Sequence, residues 1–220
     1  EFVSGRALGD YMRDAMASGK GRALYEKLTM LAGFLALLHK KTERTSHVRP
    51  SNIRGELKKH ARQASRGGAF TRDELKSVER LVDKVTSRGI IRHARKGLVH
   101  GDANPSNFLY ERGRLNVIDM ERSGYRDPVY DLGMMAGELC HYAMKYGGDP
   151  YKAEPFIGHM YWVYAGNFRD QHGTFIRLTK RNPLYMANSL LRIARHPFFS
   201  PGYTRRLAHH ARECLKSLEK

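Results

Sequence analysis

Apolar residues in the first part of the chain recur every three or four positions, a spacing typical of amphipathic helices. Leucines repeat in this way within residues 25–39, and residues 7–16 predict a shorter helix before them. The intervening segment 18–21 contains two glycines and is suited to a turn. The chain is therefore expected to begin with two helices.

The next segment is basic and is interrupted by Pro and Gly. Residues 46–68 predict a connection that contains one short helix at 56–64. Thr71 and Glu74 then have the spacing of a capping box, in which each side chain accepts a backbone N–H at a helix start. The helix that they open is expected to end near Gly89.

The pattern changes in the centre of the chain. Short apolar runs at 98–99, 108–110 and 115–118, separated by turn residues, predict small strands. Residues 111–114 predict a hairpin turn, because the glycine at position 113 can adopt a positive φ. Helical periodicity returns at residues 130–146, 153–170, 175–194 and 203–220. The predicted fold class is α+β, predominantly α, with a small central β-hairpin insert.

Composition limits the class of protein. The 220 residues are 41% hydrophobic and 28% charged, which suffices for one buried core. Cys140 and Cys214 lack the spacing of a zinc ligand pair or a disulfide scaffold. The sequence has no apolar run long enough for a membrane span. We therefore expect a cytoplasmic protein without a membrane partner, and the oligomeric state stays open.

The net charge of +17 requires a separate explanation. A charge excess of this size attracts phosphorylated ligands, nucleic acid or anionic lipid, and it does not choose among them. Much of the excess lies in residues 40–96 and 169–212, without an unbroken basic block. A solvated basic face accounts for the excess equally well.

Candidate chemistry is concentrated between the predicted strands. Phosphoryl transfer to a hydroxyl requires a carboxylate that orients the hydroxyl and accepts its proton, together with oxygen ligands for Mg²⁺. Asp102 and Asn107 lie in one polar loop, and Asp119 directly follows an apolar strand. These three residues supply the groups that the reaction needs.

The same residues resemble a known family. The segments HGDANPSN at 100–107 and VIDME at 117–121 resemble the catalytic and metal-binding loops of aminoglycoside phosphotransferases and choline kinases, distant relatives of protein kinases. DPVYDLG at 127–133 is similar to a third motif of that family. The resemblance implies the C-terminal lobe of a protein-kinase-like fold. It also implies that Asp102 is the catalytic base and that Asn107 and Asp119 hold Mg²⁺ for ATP.

Further roles follow from this resemblance. The first five residues resemble the hinge segment of the family, so Phe2 and Val3 are expected to line the nucleotide site. His100, Asp127 and Asp131 are expected to support the catalytic loop without taking part in the chemistry.

Three more residues keep two interpretations each. Glu121 is either a ligand of a second Mg²⁺ or of the acceptor, or a solvated side chain. Glu138 and His141 lie one helical turn apart, and they either face the acceptor or form a polar pair at the edge of the core.

The resemblance also implies a domain organisation. Residues 1–6 form the hinge segment, 7–96 a helical part, 97–131 the catalytic and metal-binding loops, and 132–220 a helical acceptor-binding part. A glycine-rich loop and a strand lysine normally hold the nucleotide phosphates in kinases, and neither is evident here. We therefore expect the small N-terminal lobe to be absent from this chain and the chain alone to be inactive.

The favoured function is ATP-dependent transfer of the γ-phosphate to a hydroxyl of a small molecule. A neutral or anionic acceptor suits the basic surface better than a cationic one. A protein acceptor is disfavoured, because the interval 119–127 is too short for an activation segment. The alternative function is a catalytically weak kinase-like scaffold that binds RNA or another polyanion through basic residues interleaved with aromatic ones.

Overall fold

The computed structural model describes residues 4–219, so the predicted nucleotide-site residues Phe2 and Val3 lie outside the described part of the chain. Within that part there are eight α-helices and six short strands. The helices are α1 (Leu8–Ser18), α2 (Arg22–Lys41), α3 (Pro50–Arg66), α4 (Arg72–Ser87), α5 (Val129–Tyr146), α6 (Glu154–Ala165), α7 (Gln171–Ala194) and α8 (Pro201–Ser217). The strands are β1 (Arg6–Ala7), β2 (Arg44–His47), β3 (Arg95–Val99), β4 (Phe108–Glu111), β5 (Arg114–Val117) and β6 (Gly124–Arg126). The predicted class, α+β and mainly helical, is confirmed.

The helices differ from membrane spans. Over residues 4–219, none is at once long enough and apolar enough to cross a bilayer.

The strands form two small antiparallel sheets, with the orders β1–β4–β5 and β2–β3–β6. The predicted hairpin is confirmed, since β4 pairs directly with β5 and Glu111 lies opposite Arg114. The turn residues Arg112 and Gly113 have φ values of 47° and 78°, as the tight primed turns of hairpins require.

The second sheet brings the two polar loops together. Val99 at the end of β3 lies opposite Gly124 at the start of β6. The loop that begins at residue 100 therefore leaves the sheet beside the loop that ends at residue 123. This pairing places the two segments of the predicted active site next to each other.

Helix α5 is the central helix of the core, and it is buried along most of its length. It crosses α7 at two glycines. A Cβ atom added at Gly133 would lie 2.3 Å from Cβ of Tyr185, and one at Gly137 would lie 2.5 Å from Cβ of Ser189. Contacts that short do not occur between real Cβ atoms, so the absence of a side chain at these two positions sets the separation of the helices.

Residues 46–68 are the largest departure from the sequence prediction. Most of them form the long helix α3, Pro50–Arg66, and the first two belong to β2, instead of forming a connection with a short helix. Ile53, Leu57, Ala61 and Ala64 recur at helical spacing and are buried. Pro50 is compatible with the helix because it occupies the first turn, where its missing N–H has no helical partner.

Other boundaries differ by smaller amounts. The sequence does not predict β1, β2 or β6, because strands of two to four residues are too short to show an alternation. Helix α6 ends at Ala165 and α7 begins at Gln171, whereas the predicted boundaries are 170 and 175. The earlier start of α7 is explained by Asp170, whose Oδ1 accepts a hydrogen bond from the Gly173 N–H at 2.8 Å.

The predicted capping box at the start of α4 is confirmed. The Thr71 N–H donates to Glu74 Oε2 at 2.7 Å, and the Glu74 N–H donates to Thr71 Oγ1 at 3.3 Å. The helix ends at Ser87, close to the predicted glycine.

The crossing of α5 and α7 yields a stability prediction. Replacing Gly133→Ala should lower the free energy of unfolding by about 1–3 kcal/mol, because the methyl group would force the helices apart. Gly33→Ala in α2 is a matched control, since a Cβ there meets nothing within 4 Å. That change should raise stability by up to about 1 kcal/mol through helix propensity. Urea unfolding of both variants measures the difference, and equal stability would contradict the close-packing argument.

Candidate active site

The loop that follows β3 is anchored by a carboxylate at the start of α5. Asp131 is fully buried. Its Oδ2 accepts a hydrogen bond from the His100 N–H at 2.7 Å, and its Oδ1 accepts one from the Gly101 N–H at 3.0 Å. Nε2 of His39 lies 3.2 Å from the same Oδ2. A buried carboxylate without such partners would be strongly destabilising, so these contacts fix the backbone directly before Asp102.

A second buried carboxylate joins the start of α5 to α7. Oδ1 of Asp127 accepts a hydrogen bond from the Val129 N–H at 3.0 Å. Its Oδ2 accepts hydrogen bonds from Arg181 Nη1 and from the Tyr185 hydroxyl, both at 3.0 Å. Burial raises the pKa of Asp127, and the nearby Arg181 opposes this shift.

His100 connects the two polar loops. Its Nε2 lies 2.9 Å from the Ile118 carbonyl oxygen, and its Nδ1 lies 3.3 Å from the Asp102 nitrogen. Since the Asp102 N–H is a donor, Nδ1 accepts and Nε2 carries the proton. The structure therefore places His100, like Asp127 and Asp131, where it holds backbone in position.

Gly101 permits the closest approach between the loops. It has a φ of 81°, and a Cβ at this position would lie 2.1 Å from the Arg122 carbonyl oxygen. Any side chain would push the segment that carries Arg122 away from Asp102. This contact explains why glycine precedes the candidate catalytic aspartate.

Asn107 and Asp119 are brought to the same place by backbone hydrogen bonds. Asn107 ends a short 3₁₀ turn, and its Nδ2 donates to the Asp102 carbonyl oxygen at 3.0 Å. The Ile118 N–H donates to the Asn107 carbonyl oxygen at 3.1 Å. Asp119 follows with left-handed backbone angles, φ 59° and ψ 50°, and its side chain is exposed. The loops thus form one connected unit around Asp102.

The oxygen atoms of this unit fit Mg²⁺. Because Nδ2 of Asn107 is used within the loop, its Oδ1 remains available, with only the Ser106 hydroxyl 3.5 Å away. An amide oxygen and the Asp119 carboxylate are the hard ligands that Mg²⁺ prefers. Among residues 4–219, no group of three or more His, Cys, Asp or Glu side chains is arranged to hold a metal. A Mg²⁺ ion held by two side chains would take its other ligands from water and phosphates, as is usual for this ion.

The Asp102 carboxylate lies between two arginines. Arg192 Nη1 donates to its Oδ1 at 2.7 Å, and Arg122 Nη1 lies 3.4 Å from its Oδ2. The sequence prediction does not include Arg192, which comes from α7, 90 positions away from Asp102. No local motif marks this arginine. The sequence offers one indication: residues 171–194 contain no Asp or Glu that could pair with Arg192 on its own helix.

The three residues with open interpretations occupy different surroundings. Glu121 is largely solvated, and its carboxylate lies 3.9 Å from Arg122 Nε. Glu138 is buried, with Oε1 3.9 Å from Arg192 Nη2, so it adjoins the Asp102 site. His141 packs instead against α8, and its Nδ1 lies 2.9 Å from the Tyr203 hydroxyl. Burial lowers the pKa of His141 to about 4. The structure therefore separates Glu138 from His141, despite their spacing in the sequence.

Comparison with solved structures supports a kinase-like fold. The chain superimposes over its full length on Plasmodium vivax ethanolamine kinase Pv091845, with a TM-score of 0.58 and 16% identity. It also superimposes over its full length on a glucosamine kinase in complex with glucosamine, ADP and inorganic phosphate, with a TM-score of 0.60 and 14% identity. A third match, again over the full length of the chain, is an aminoglycoside phosphotransferase from Alicyclobacillus acidocaldarius subsp. acidocaldarius DSM 446, with a TM-score of 0.52 and 18% identity. These TM-scores, all above 0.5, establish the fold, and the predicted partial kinase-like lobe is confirmed.

The shared region is only part of these proteins. The chain spans 64% of the ethanolamine kinase, 59% of the glucosamine kinase and 69% of the aminoglycoside phosphotransferase. No curated protein matches the sequence. Residues 1–154, more than half of the chain, match the profile of the phosphotransferase enzyme family, APH. The chain therefore belongs to the APH phosphotransferase family.

Proposed function

We propose that the complete protein transfers the γ-phosphate of ATP to a hydroxyl of a small molecule. The observation that carries the proposal is the hydrogen-bonded unit that holds Asp102, Asn107 and Asp119 around two adjoining loops. Membership of a phosphotransferase family supports it. The likeness to a glucosamine kinase solved with glucosamine, ADP and inorganic phosphate supports both nucleotide use and a small hydroxylated acceptor.

Asp102 orients the acceptor hydroxyl and accepts its proton in this proposal. Its side chain is 13% exposed, so that one edge of the carboxylate can be reached from solvent. The loop before it is fixed by Asp131, and its own oxygens are fixed by Arg122 and Arg192. A base held in this way meets the acceptor without further reorganisation.

Asn107 and Asp119 would hold Mg²⁺ beside Asp102 in this proposal. When it is bound there, Mg²⁺ neutralises charge on the transferring phosphoryl group. Asn107 keeps its amide oxygen available because its Nδ2 is tied to the Asp102 carbonyl oxygen. The expected nucleotide contacts of Phe2 and Val3, and a cytoplasmic location, remain predictions.

The alternative function, a scaffold that binds RNA or another polyanion, receives no support from the comparisons. None of the proteins reported above is described as binding nucleic acid. The experiments that follow therefore address enzymatic phosphoryl transfer.

The role of Asp102 can be tested in the complete protein. Asp102→Asn should lower kcat by a factor of about 10²–10⁴, because the amide accepts no proton, while it can still accept a hydrogen bond from Arg192. ATP-dependent phosphorylation of a panel of hydroxylated metabolites measures the loss. The control is Asp73→Asn in the first turn of α4, where the side chain is 94% exposed. Full activity of the Asp102 variant would refute the proposed base.

The metal site can be tested with a pair of neighbouring carboxylates. Asp119→Ala should raise the Mg²⁺ concentration for half-maximal activity by about tenfold or more, because a metal ligand is lost. Glu121→Ala should leave that concentration unchanged, since the Glu121 carboxylate lies beside Arg122 Nε, at 3.9 Å. Titration of Mg²⁺ at fixed ATP compares the two variants. The opposite order of effects would assign the metal to Glu121.

Glu138 should make stability depend on pH. Burial raises its pKa to about 7, although Arg192 opposes the shift. The folded protein therefore binds a proton more tightly than the unfolded chain, and the free energy of unfolding falls as pH rises from about 4.5 to about 7. Glu138→Gln removes this dependence. From pH 4.5 to 8, its stability relative to the original protein should rise by up to about 3 kcal/mol. A constant difference in urea unfolding across this range would contradict the raised pKa.

A further inference from the structure

Positive charge is concentrated around the Asp102 carboxylate. Arg192 and Arg122 contact its two oxygens, and Arg192 also lies 3.9 Å from the buried Glu138. Nε of Arg192 is buried and finds no hydrogen-bond partner within residues 4–219. A guanidinium with an unsatisfied buried donor still has capacity for an acceptor atom.

Arg195 adds a third guanidinium at the end of α7. Its Nη1 donates to Gln63 Oε1 at 3.0 Å, a neutral partner. In the described part of the chain, Arg195 forms no ion pair with a carboxylate. Partial burial lowers the pKa of Arg195, and repulsion from Arg192 and Arg122 lowers it further. Arg195 thus lies in the positive field of the other two arginines and, within residues 4–219, has no carboxylate partner of its own.

The neighbouring groups do not remove this excess. The pKa of His196 is lowered by burial and by Arg195 and Arg192, so His196 experiences the same positive field. Asp102, Glu138 and Glu121 offer three carboxyl groups to the three arginines, but Glu121 is 72% exposed and reaches only Arg122, at 3.9 Å. Glu138, with a pKa of about 7, is only partly ionised near neutral pH. The C-terminal end of α7 contributes roughly half a negative charge, which offsets only part of the excess.

The position of the cluster distinguishes it from the metal site. Asn107 and Asp119 lie at the two ends of the central hairpin, whereas Arg192 lies in the last turn of α7 and Arg195 directly follows that helix, in the last third of the chain. The two sets come from different elements. Asn107 and Asp119 offer oxygen atoms to a cation, whereas the arginines offer N–H donors to an anion. An anionic group of the acceptor would meet the arginines while its hydroxyl meets Asp102.

We propose that Arg192 and Arg195 form an anion-binding subsite for the acceptor, so that the substrate is a hydroxylated compound with a phosphate or carboxylate group. The inference rests on the proposed function, because it takes Asp102 as the group that meets the hydroxyl. Guanidinium groups suit both anions, since they donate two parallel hydrogen bonds. An anion would also relieve the repulsion that the other two arginines exert on Arg195.

Binding without nucleotide tests the subsite separately from catalysis. Calorimetric titration of the chain at 0.15 M salt should show binding of glycerol 3-phosphate and of glycerate, and at least tenfold weaker binding of glycerol and choline. Arg195→Gln should weaken the binding of both anions by about tenfold or more. Arg169→Gln is the matched control, because it removes the same charge from an exposed position just before α7. It should change the affinity by less than twofold.

Several outcomes would overturn the subsite. Equal affinity of the chain for glycerol and for the two anions would contradict it. Equal weakening of anion binding by Arg195→Gln and Arg169→Gln would also contradict it, because the anions would then be attracted by the basic surface as a whole. Thermal unfolding shows whether each variant is folded. If Arg195→Gln does not fold, the ligand selectivity of the unaltered chain tests the subsite instead. Binding of only one anion type identifies which acidic group the subsite takes and supports the proposal.

The complete protein separates acceptor from nucleotide. Arg195→Gln should lower kcat/KM for an anionic acceptor by about tenfold and leave the KM for ATP unchanged. A raised KM for ATP with an unchanged acceptor KM would mean that the arginines serve the nucleotide phosphates, and it would overturn the proposal. Anion binding with an active Asp102→Asn variant would instead refute the proposed base and leave the anion site in place.

Discussion

The buried carboxylate of Asp131 is the constraint on which the geometry of the candidate active site depends. Two successive backbone N–H groups, those of His100 and Gly101, point at its two oxygens. The carboxylate belongs to the central helix α5, which is itself held by its close crossing with α7. The position of Asp102 is thus set by the core of the protein rather than by the loop that contains it. Such support allows a polar loop to be both exposed and well ordered.

The second loop is positioned through the first. The Asn107 side chain holds the Asp102 carbonyl oxygen, the Asn107 carbonyl receives the Ile118 N–H, and the Ile118 carbonyl lies against His100. These contacts form a closed circuit of hydrogen bonds that runs through both loops. Because each group is satisfied within the circuit, displacement of one loop leaves buried polar atoms unpaired in the other. The geometry of the two loops is therefore coupled.

The fold could be predicted where the physical signal is local. The capping box at Thr71 and the hairpin turn at Gly113 depend on neighbouring residues, and both are present in the structure. Helix α3 is different, because two of the four residues in its apolar stripe, Ala61 and Ala64, are alanines, and the helix also contains Gly55. Small residues bury well against a neighbouring helix but give a weak periodic signal. Tertiary packing decides such segments, and the sequence alone does not reveal it.

The candidate site likewise contains residues that a local sequence pattern identifies and residues that only distant contacts identify. Asp102, Asn107 and Asp119 are recognisable because the reaction demands their chemistry within a short segment, and the structure brings their loops together. Arg192 and Arg195 carry no motif, since a guanidinium on a helix is usually solvated. The role of Arg192 depends on its burial and on the Asp102 carboxylate that it contacts, and both arise only when α7 packs beside the loop. Arg195 is placed with it because it follows one helical turn later. The net charge of +17 showed that positive charge is in excess, but only the fold shows that part of it adjoins Asp102. A charge excess that is partly buried beside Asp102 restricts the charge of the ligand that can bind there. The same excess on a solvated face has little such effect, because water and salt screen it.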